Sequence, residues 1–529
     1  MTQTRTSVPR CLHERAAEHP HRAFAVEADG RSASYAEFEA ESLRWAAGYQ
    51  KLGLQAGDTV VSMVRPSVSA YASWIGMSWL RVIDAPCNTD YQGAMLAYLL
   101  NHSRSGVAIV DAQFVPRLAE VAAEAPHLHT VVVLGDDEVE PCDAAFRLIS
   151  SRDLLADVEP LVDVEPPDIW DTAMMIYTSG TTGPSKGVLV TWAQADESAR
   201  GLIPPADLDE TDCFYSPFPM FHGSGRACLC LMVRVGGRFV VREQFSASHY
   251  WSDITEHHCT TTGLVGAMTA FLWNQPVTPD DANNPLRRAV MMPVVPHYQQ
   301  FEERFGLKLT TCYAMTEIGP PFSTGWDITD PMSCGVLRDG YEVRLVDDRD
   351  FEVPVGDPGE LIVRHRDPWV LCQGYFEMPE RTAEAWRNGW FHTGDAFRKD
   401  ALGRYYFVDR IKDAIRRRGE NISSFEVEAL VAGHDGVAEC AAIPVPSELG
   451  EDEVKVCVVR ADGTLTEEQL LRDLIPRMPR FMVPRYVEFV DHLPKTDATM
   501  RVKKHLLRES SLNEHTWDRE AAGVEVPKS

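Results

Sequence analysis

A short loop rich in glycine and hydroxyl residues decides the fold. It reads Thr178-Ser179-Gly180-Thr181-Thr182-Gly183-Pro184-Ser185-Lys186-Gly187 and follows the apolar run 174–177. Glycines let backbone N–H groups approach an anion closely, hydroxyls donate further hydrogen bonds, and Lys186 adds a positive charge. A Walker-type P-loop has glycine where Ser185 stands here. We therefore predict a strand followed by a phosphate-binding loop of a different kind, rather than a mobile surface turn.

Length and composition set the broad class. The 529 residues predict several structural units, and 44% hydrophobic with 24% charged residues is typical of a globular protein. The formal net charge of -27 argues against a nucleic-acid partner. The longest apolar runs are too short to span a membrane, and residues 1–10 are polar, so we expect a cytoplasmic protein. The twelve cysteines lack any Cys-x-x-Cys pair, and we expect buried free thiols.

Helical and strand patterns alternate along the first part of the chain. Residues 35–52 have helical spacing, and residues 59–64, 107–110 and 130–134 have the apolar runs of buried strands. Such alternation predicts mostly parallel sheets in an α/β fold. Residues 135–168 are acidic and contain proline, and we expect a surface connection there.

The pattern changes after about residue 335. Residues 342–346 and 359–364 predict antiparallel strands. Further on, the periodicity predicts a helix at 424–432, strands at 440–444 and 454–459, and a helix from Glu467. The last twenty residues are polar, and we expect them to be loosely ordered.

The chain therefore divides into domains of unequal size. We predict a large N-terminal domain, 1–408, with layers of parallel sheet and a small β-barrel-like subdomain. A hinge at 409–412 leads to a small, mobile α+β C-terminal domain, 413–529.

The loop at 178–187 resembles the ATP-phosphate loop of the adenylate-forming enzymes, which include acyl-CoA synthetases, luciferases and the adenylation domains of peptide synthetases. Further motifs follow in the order of that superfamily, over residues from about 10 to 508. One is Tyr313-Ala314-Met315-Thr316-Glu317. The resemblance implies that Tyr313 packs on adenine, Thr316 contacts the α-phosphate and Glu317 holds Mg²⁺, a role that suits a carboxylate.

A second motif, Trp390-Phe391-His392-Thr393-Gly394-Asp395, resembles the segment that binds the ribose. Asp395 would accept hydrogen bonds from both ribose hydroxyls, as the two oxygens of one carboxylate allow. The resemblance places Arg410 at the ribose too. Gly335 and the run 359–375 match structural motifs of the large domain.

The resemblance implies a reaction in two steps. A carboxylate attacks the α-phosphate of ATP, the small domain rotates, and the thiol of coenzyme A attacks the acyl-adenylate. Lys412 occupies the hinge position, Gly419 would line the pantetheine tunnel, and Arg416 matches a basic residue of the second step. A solvated basic turn is the alternative for Arg416 and its neighbours.

The resemblance also places an acyl pocket. Residues 217–223 match the motif at its carboxylate end, where His222 would gate the pocket or polarise the carboxylate, unless it is a hydrogen-bonded core histidine. We expect the pocket wall to come from Gly263, Val265, Gly266 and Met315. The two glycines would leave room for a sizeable acyl group, which favours a bulky acid of secondary metabolism.

Two segments depart from the family pattern. Residues 291–296 (Met-Met-Pro-Val-Val-Pro) replace a small-residue element, and their bulk would crowd the nucleotide. At the C-terminus, the family's catalytic lysine bridges the attacking carboxylate and the α-phosphate. Here one alignment puts Met500 at that position and the other puts Arg501 there, and arginine is not equivalent to lysine.

We therefore predict an acyl-CoA ligase similar to the carnitine/crotonobetaine and fatty-acid branch, using ATP or acyl-AMP, coenzyme A and Mg²⁺. In one hypothesis adenylation is weak and the enzyme forms thioesters from an acyl-adenylate that a separate enzyme supplies. In the other, Arg501 replaces the lysine in a full two-step ligase. A nucleotide- or acyl-CoA-binding pseudoenzyme and a luciferase-like oxygenase are further alternatives. No carrier-protein segment follows, which disfavours a peptide-synthetase module.

Overall fold

The structure is a computed structural model in two compact units. The described residues are 5–135, 144–178, 185–410, 415–417, 420–422, 424–447, 452–478, 480–495 and 502–526. The first unit comprises Met1–Glu342 and Val363–Phe391, and the second comprises Val343–Ile362 and His392–Ser529. The domain boundary near residue 409 stays a prediction.

The strands of the described residues follow in chain order. They are β1 (Ala23–Glu27), β2 (Ser32–Ser34), β3 (Thr59–Met63), β4 (Ile83–Pro86), β5 (Val107–Asp111), β6 (Thr130–Leu134), β7 (Arg147–Ser150), β8 (Thr172–Thr178), β9 (Lys186–Thr191), β10 (Cys213–Ser216), β11 (Arg238–Val241), β12 (Thr261–Val265), β13 (Arg288–Met292), β14 (Lys308–Thr310), β15 (Cys312–Met315), β16 (Gly319–Ser323), β17 (Val336–Leu337), β18 (Tyr341–Val346), β19 (Gly359–His365), β20 (Phe391–Lys399), β21 (Tyr405–Arg410), β22 (Ile415–Arg417), β23 (Glu420–Ile422), β24 (Val437–Pro446), β25 (Asp452–Arg460), β26 (Tyr486–Phe489) and β27 (Trp517–Asp518).

The α-helices of the described residues are α1 (Val8–Glu18), α2 (Tyr35–Lys51), α3 (Val68–Trp79), α4 (Gly93–His102), α5 (Val115–Val121), α6 (Ser151–Leu155), α7 (Trp192–Leu202), α8 (Gly223–Val235), α9 (Tyr250–Glu256), α10 (Gly266–Trp273), α11 (Tyr298–Phe305), α12 (Pro379–Ala385), α13 (Ser424–Ala432), α14 (Glu467–Leu474) and α15 (Lys504–Glu509). Among the residues that the structure describes, none of the helices has the length and apolarity that crossing a membrane requires.

Two large sheets form the first unit, and their mostly parallel pairing confirms the predicted α/β class. One sheet has the order β7-β6-β5-β3-β4-β8-β9, and the other has the order β14-β13-β12-β10-β11-β1-β2. Neighbouring strands are parallel except that β9 runs antiparallel to β8 and β2 antiparallel to β1. The central strands β3, β5 and β6 are buried along their whole length, as their continuous apolar sequences require.

Local signals start the helices where the sequence places them. α2 begins after Ser34, whose side chain accepts a hydrogen bond from the backbone of Glu37 while the Glu37 carboxylate binds the backbone of Ser34. α8 ends at Gly236, which has a φ of 78° and so adopts the left-handed conformation that glycine favours.

The second unit has its own core. β24 pairs antiparallel with β25, and β25 pairs parallel with β26. β20 pairs antiparallel with β21 in the four-stranded order β18-β19-β20-β21. Apolar residues of α13, α14 and the central strands pack together, among them Val427, Val456 and Leu471. The predicted helix at 424–432 and the strands at 440–444 and 454–459 are confirmed.

Two expectations were wrong. The supposed connection at 135–168 contains β7, which pairs parallel with β6, and α6, whose first turn is capped by Ser150. β7 is a half-buried edge strand, so its sequence lacks the continuous apolar run of the central strands. The last twenty residues contain β27 and the buried Arg519, whose guanidinium donates to the carbonyl oxygens of Pro484 and Val524. Such tertiary contacts leave no local pattern.

The cysteines confirm the prediction of free thiols. Those in the described part of the chain are all free, and each is buried or half-buried.

Candidate active site

The predicted acyl and adenine residues follow neighbouring parallel strands of the second large sheet. The strands β10, β12, β13 and β14 lie side by side, and His222, Val265, Met292 and Tyr313 come at or after their carboxyl ends. Ligands of open parallel sheets bind at this edge. The fold therefore brings together segments that are up to about a hundred residues apart in the chain.

His222 is the residue that precedes α8, and its environment keeps the imidazole neutral. Burial lowers its pKa to about 4. Its Nε2 atom is buried, and none of the described residues forms a hydrogen bond with it. The loop before it is held by Arg226, whose Nε donates to the carbonyl oxygen of Met220 over 2.7 Å and whose guanidinium pairs with the buried Asp84. A neutral imidazole in this position can gate a pocket or accept or donate one hydrogen bond.

The glycine of β12 does not leave the room that we expected. A Cβ atom on Gly263 would lie 2.7 Å from Cε2 of Phe218, so the phenyl ring already fills that space. Val265 ends the same strand, half-buried and opposite Met292. The side chain of Gly266 lies outside the described residues.

The bulky segment at 291–296 begins inside the core. Met291 is fully buried in the cluster of the second large sheet. The Sδ atom of Met292 lies 3.3 Å from Sγ of Cys312, the residue before Tyr313. The predicted crowding of the nucleotide stays a prediction.

The phosphate loop is framed by an antiparallel pair of strands. β8 ends at Thr178 and β9 begins at Lys186, and these two residues lie opposite each other. A Cβ atom on Gly187 would lie 2.7 Å from Sδ of Met175, so close packing requires glycine there. Ser179, Gly180, Thr181, Thr182 and Gly183 lie outside the described residues.

Glu317 lies close to the lysine of the loop through a shared neighbour. Its side chain is buried, and Oε1 accepts a hydrogen bond of 3.1 Å from the hydroxyl of Tyr375. The Nζ atom of Lys186 lies 4.5 Å from the centroid of the same tyrosine ring. A buried carboxylate beside a lysine fits a magnesium-phosphate site, because Mg²⁺ prefers oxygen ligands and phosphates attract the ammonium.

The residues before Glu317 are positioned by β15 and α7. Tyr313 and Met315 are half-buried on β15, with the tyrosine hydroxyl 3.9 Å from the methionine Sδ. The carbonyl oxygen of Thr316 accepts a hydrogen bond of 2.7 Å from Nε2 of Gln194 in α7. The backbone that carries Thr316 and Glu317 is thus tied to the helix beside it.

In the second unit, the predicted ribose residues lie on adjacent strands. Asp395 in β20 is opposite Arg410 in β21, and Asp395 is buried. The backbone N–H of Asp395 donates to Oγ1 of Thr393, which itself donates to the carbonyl oxygen of Leu361 over 2.7 Å. The side chain of Arg410 lies outside the described residues.

One carboxylate fastens this ribose turn, which we define as residues 392–395. Glu360 accepts the N–H of Gly394 on Oε1 and bonds Nδ1 of His392 through Oε2, both over 3.0 Å. Asp350 lies on the other side of the imidazole, with Oδ2 3.9 Å from Nε2. These three side chains have the chemistry of metal ligands. Because the described contacts already use both oxygens of Glu360, we interpret the group as a fastening of the turn.

Several predicted residues cannot be placed. Lys412, Gly419, Met500 and Arg501 lie outside the described residues. Arg416 lies on β22 opposite Asn421, but its side chain is not described.

The lysines that flank the C-terminal segment 496–501 both have acidic partners within the second unit. Lys495 pairs with Glu439, and Lys504 pairs with Glu428 over 2.7 Å. Lys504 also donates to the hydroxyl of Ser424.

Sequence reasoning assigned no role to Glu360 or Tyr375. Both lie in the run 359–375, which matched structural motifs, and their contacts appear only after folding. The motif match was the signal that could have pointed to them.

Sequence comparison places this site in a known family. The family model for "AMP-binding enzyme" matches residues 12–376, and the one for "AMP-binding enzyme C-terminal domain" matches residues 426–499. The crotonobetaine/carnitine–CoA ligase of Salmonella arizonae is 30% identical over 491 residues, covering 89% of this chain and 92% of that protein. The chain therefore belongs to the AMP-binding enzymes of the adenylate-forming superfamily. Within it, the chain is an AMP-forming acyl-CoA ligase.

Solved structures share the fold. The anthranilate CoA ligase AuaEII, determined with anthranoyl-AMP, matches with a TM-score of 0.85 at 23% identity and covers 98% of both chains. ATP-bound MatB from Rhodopseudomonas palustris matches with a TM-score of 0.83 at 24% identity, over 95% of this chain and 98% of that one. These likenesses confirm an α/β fold with a large N-terminal and a small C-terminal domain.

Proposed function

We propose that this ligase forms acyl-CoA thioesters efficiently from an acyl-adenylate but makes the adenylate slowly. The observation that carries the proposal is that residues 496–502 contain no lysine. The lysines on either side, Lys495 and Lys504, are engaged by Glu439 and Glu428. Neither is a ready substitute for a lysine that must reach the reacting phosphate.

The two steps make different demands on the protein. In the first, an oxygen of the acid's carboxylate bonds to the α-phosphorus and pyrophosphate leaves. In the second, the thiolate sulfur of coenzyme A bonds to the acyl carbon and AMP leaves. Lys186 would attract the phosphates, and Mg²⁺ bound by Glu317 would neutralise their charge. The negative charge that gathers in the first step is where a positioned lysine would act.

The expected loss is large but confined to adenylation. Removing one preorganised charge at a transition state lowers the rate by about 10²–10³-fold. Arg501 would restore charge but not the compact geometry of an ammonium. Asp395 and Arg410, opposite each other on β20 and β21, support retention of nucleotide binding, which both steps need.

The acid that we propose has an apolar body next to its carboxylate. Val265 and Met315, the described wall residues that carry side chains, are apolar, and His222 is neutral at physiological pH. The space beside Gly263 is filled by Phe218, so the glycine no longer argues for a large acid. A separate adenylating enzyme would supply the adenylate if adenylation is too slow for turnover.

The test separates the two steps. Purified protein is incubated with a synthetic acyl-adenylate and coenzyme A, and in parallel with the free acid, ATP and coenzyme A, over a panel of acids. We expect fast thioester formation in the first mixture and at least about 100-fold slower formation in the second. Comparable rates would establish a full two-step ligase, and binding without thioester in either mixture would establish a pseudoenzyme.

Substitution identifies the position concerned. Arg501→Lys and Met500→Lys are assayed by acid-dependent ATP–pyrophosphate exchange. Rescue of exchange by one of them, with thioester formation from the adenylate unchanged, would support the proposal and show which residue stands at the lysine position.

A further inference from the structure

We infer that Tyr375 is a positioning residue that holds Lys186 and Glu317 for the binding of magnesium and ATP. The inference rests on the proposed roles of those two residues in adenylation. It does not depend on how fast adenylation is.

The first contact is between the tyrosine hydroxyl and the carboxylate. The hydroxyl donates to Oε1 of Glu317 over 3.1 Å, and both groups are buried. Burial, followed by the charge of Glu317, raises the pKa of Tyr375 well above its ordinary value. The phenol therefore keeps its proton throughout the physiological range and always acts as the donor. Hydrogen bonds to a charged acceptor are stronger than neutral ones, so this contact orients the carboxylate.

The second contact uses the face of the same ring. The Nζ atom of Lys186 lies 4.5 Å from the ring centroid, within the range in which an ammonium is attracted by the ring's electrons. The ring thus orients a cation while its hydroxyl orients an anion. The two charged groups stand nearly 190 residues apart from Tyr375 and about 60 residues apart from it, respectively.

The backbone holds the tyrosine in place at both ends. The N–H of Tyr375 donates to Oγ1 of Thr382, and the N–H groups of the residues around it bond the strand that carries Lys186: Gln373 to Leu189 and Phe376 to Gly187. The N–H of Cys372 donates to the carbonyl oxygen of Glu317 over 2.9 Å. The segment 372–376 is therefore a strap that joins β9 to the residue after β15.

The glycine before the tyrosine is required by this strap. Gly374 has a φ of 131°, and a Cβ atom there would lie 2.5 Å from Cγ2 of Thr382. No other residue combines this backbone conformation with so close an approach.

The ring is not locked by packing on every side. A cavity of about 1040 Å³ lies next to it, lined by Tyr375 together with Trp369, Cys372, Thr382 and Trp386. Because space is available for the ring to move, the directed contacts to Glu317 and Lys186 decide where it stands.

Two substitutions separate the contacts. Tyr375→Phe removes only the hydroxyl, and Tyr375→Leu removes the ring face as well. The readout is the affinity for ATP by calorimetry, with Mg²⁺ and with EDTA. For Tyr375→Phe we expect the gain in ATP affinity on adding Mg²⁺ to fall about tenfold, while the affinity in EDTA is unchanged. For Tyr375→Leu we expect the affinity in EDTA to fall too, because Lys186 is no longer oriented.

A matched control guards against a merely structural effect. Tyr341 is a buried tyrosine whose hydroxyl donates to the carbonyl oxygen of Ile318, next to Glu317, over 2.9 Å. Tyr341→Phe therefore removes an equivalent hydrogen bond without touching the carboxylate, and it should leave the Mg²⁺-dependent gain unchanged. An equal effect of Tyr341→Phe, or no effect of Tyr375→Phe, would overturn the inference.

The outcome is distinct from that of the proposed function. Rapid turnover of free acid with ATP would overturn slow adenylation but would leave the role of Tyr375 standing. A Tyr375→Phe protein with normal Mg²⁺-dependent binding would overturn the positioning role whatever the rate of adenylation.

Discussion

The cluster around Glu317 in the first unit and the ribose turn in the second unit are built in different ways. In the cluster, Lys186, Glu317 and Tyr375 come from three distant segments and meet through their side chains. In the ribose turn, Glu360 on β19 binds the backbone and the imidazole of a segment on the neighbouring strand.

The difference shows how one stretch of chain serves two purposes. The run 359–375 supplies a carboxylate that fastens the ribose turn and a tyrosine that joins two charged side chains. The turn depends on one carboxylate and on neighbouring strands. The cluster depends on contacts between elements that only tertiary folding brings together, so we expect it to be the more sensitive to change.

The largest expected effect comes from Glu317→Gln. Loss of the charge that would hold Mg²⁺ should lower acid-dependent ATP–pyrophosphate exchange by about 10²–10³-fold. Thioester formation from a synthetic acyl-adenylate should be nearly unchanged, because pyrophosphate has already left. Asp395→Ala should slow both assays, since both need the nucleotide. A Glu317→Gln protein impaired equally in both assays would contradict the assignment of the cluster to adenylation.

The buried imidazole of His222 gives the next effect, on stability against pH. Its folded pKa of about 4 lies below the ordinary value of about 6.5, so the unfolded chain takes up the proton first as the pH falls. The free energy of unfolding is unaffected above pH 6.5 and should decrease between pH 6.5 and 4, by about 3 kcal/mol in full. Thermal unfolding of the wild type should therefore lose more stability over that window than unfolding of His222→Gln. Parallel curves for the two proteins would show that the imidazole is not buried.

Packing beside the strand edge can be broken with one methyl group. Gly263→Ala would force a Cβ atom against the ring of Phe218 and should lower the stability by about 1–3 kcal/mol, measured by denaturant unfolding. Gly223→Ala is the control, because a Cβ atom there meets only Cδ1 of Ile176 at an ordinary 3.8 Å. Equal stability of the two variants would mean that Phe218 does not fill the space.

The smallest effect is expected at the ribose turn. Glu360→Ala leaves the N–H of Gly394 without its described acceptor and should raise the KM for ATP about tenfold, with kcat less affected. Glu342→Ala removes an exposed carboxylate that pairs with Arg364, and surface pairs contribute little, so it should leave the KM unchanged. A larger effect at Glu360 than at Tyr375 would reverse the comparison between the two regions.

Much of the fold was predictable because it depends on local patterns. The buried strands at 59–64, 107–110 and 130–134 are continuous apolar runs, and such runs form the centre of parallel sheets. β7 and β27 were missed because each is short and half-buried, and its pairing is set by the strand beside it. The same limit applied to Gly263, whose neighbouring space is filled by a residue 45 positions away.

The sequence by itself determined the superfamily, the reaction class and the charged residues proposed for each site. It could do so because a phosphate loop, a carboxylate for Mg²⁺ and a carboxylate for ribose need particular residue types at particular spacings. Only the tertiary structure decided what holds those residues. Tyr375 and Glu360 act through contacts across strands and between distant segments, and the position of a side chain in space is not encoded by its neighbours in the chain.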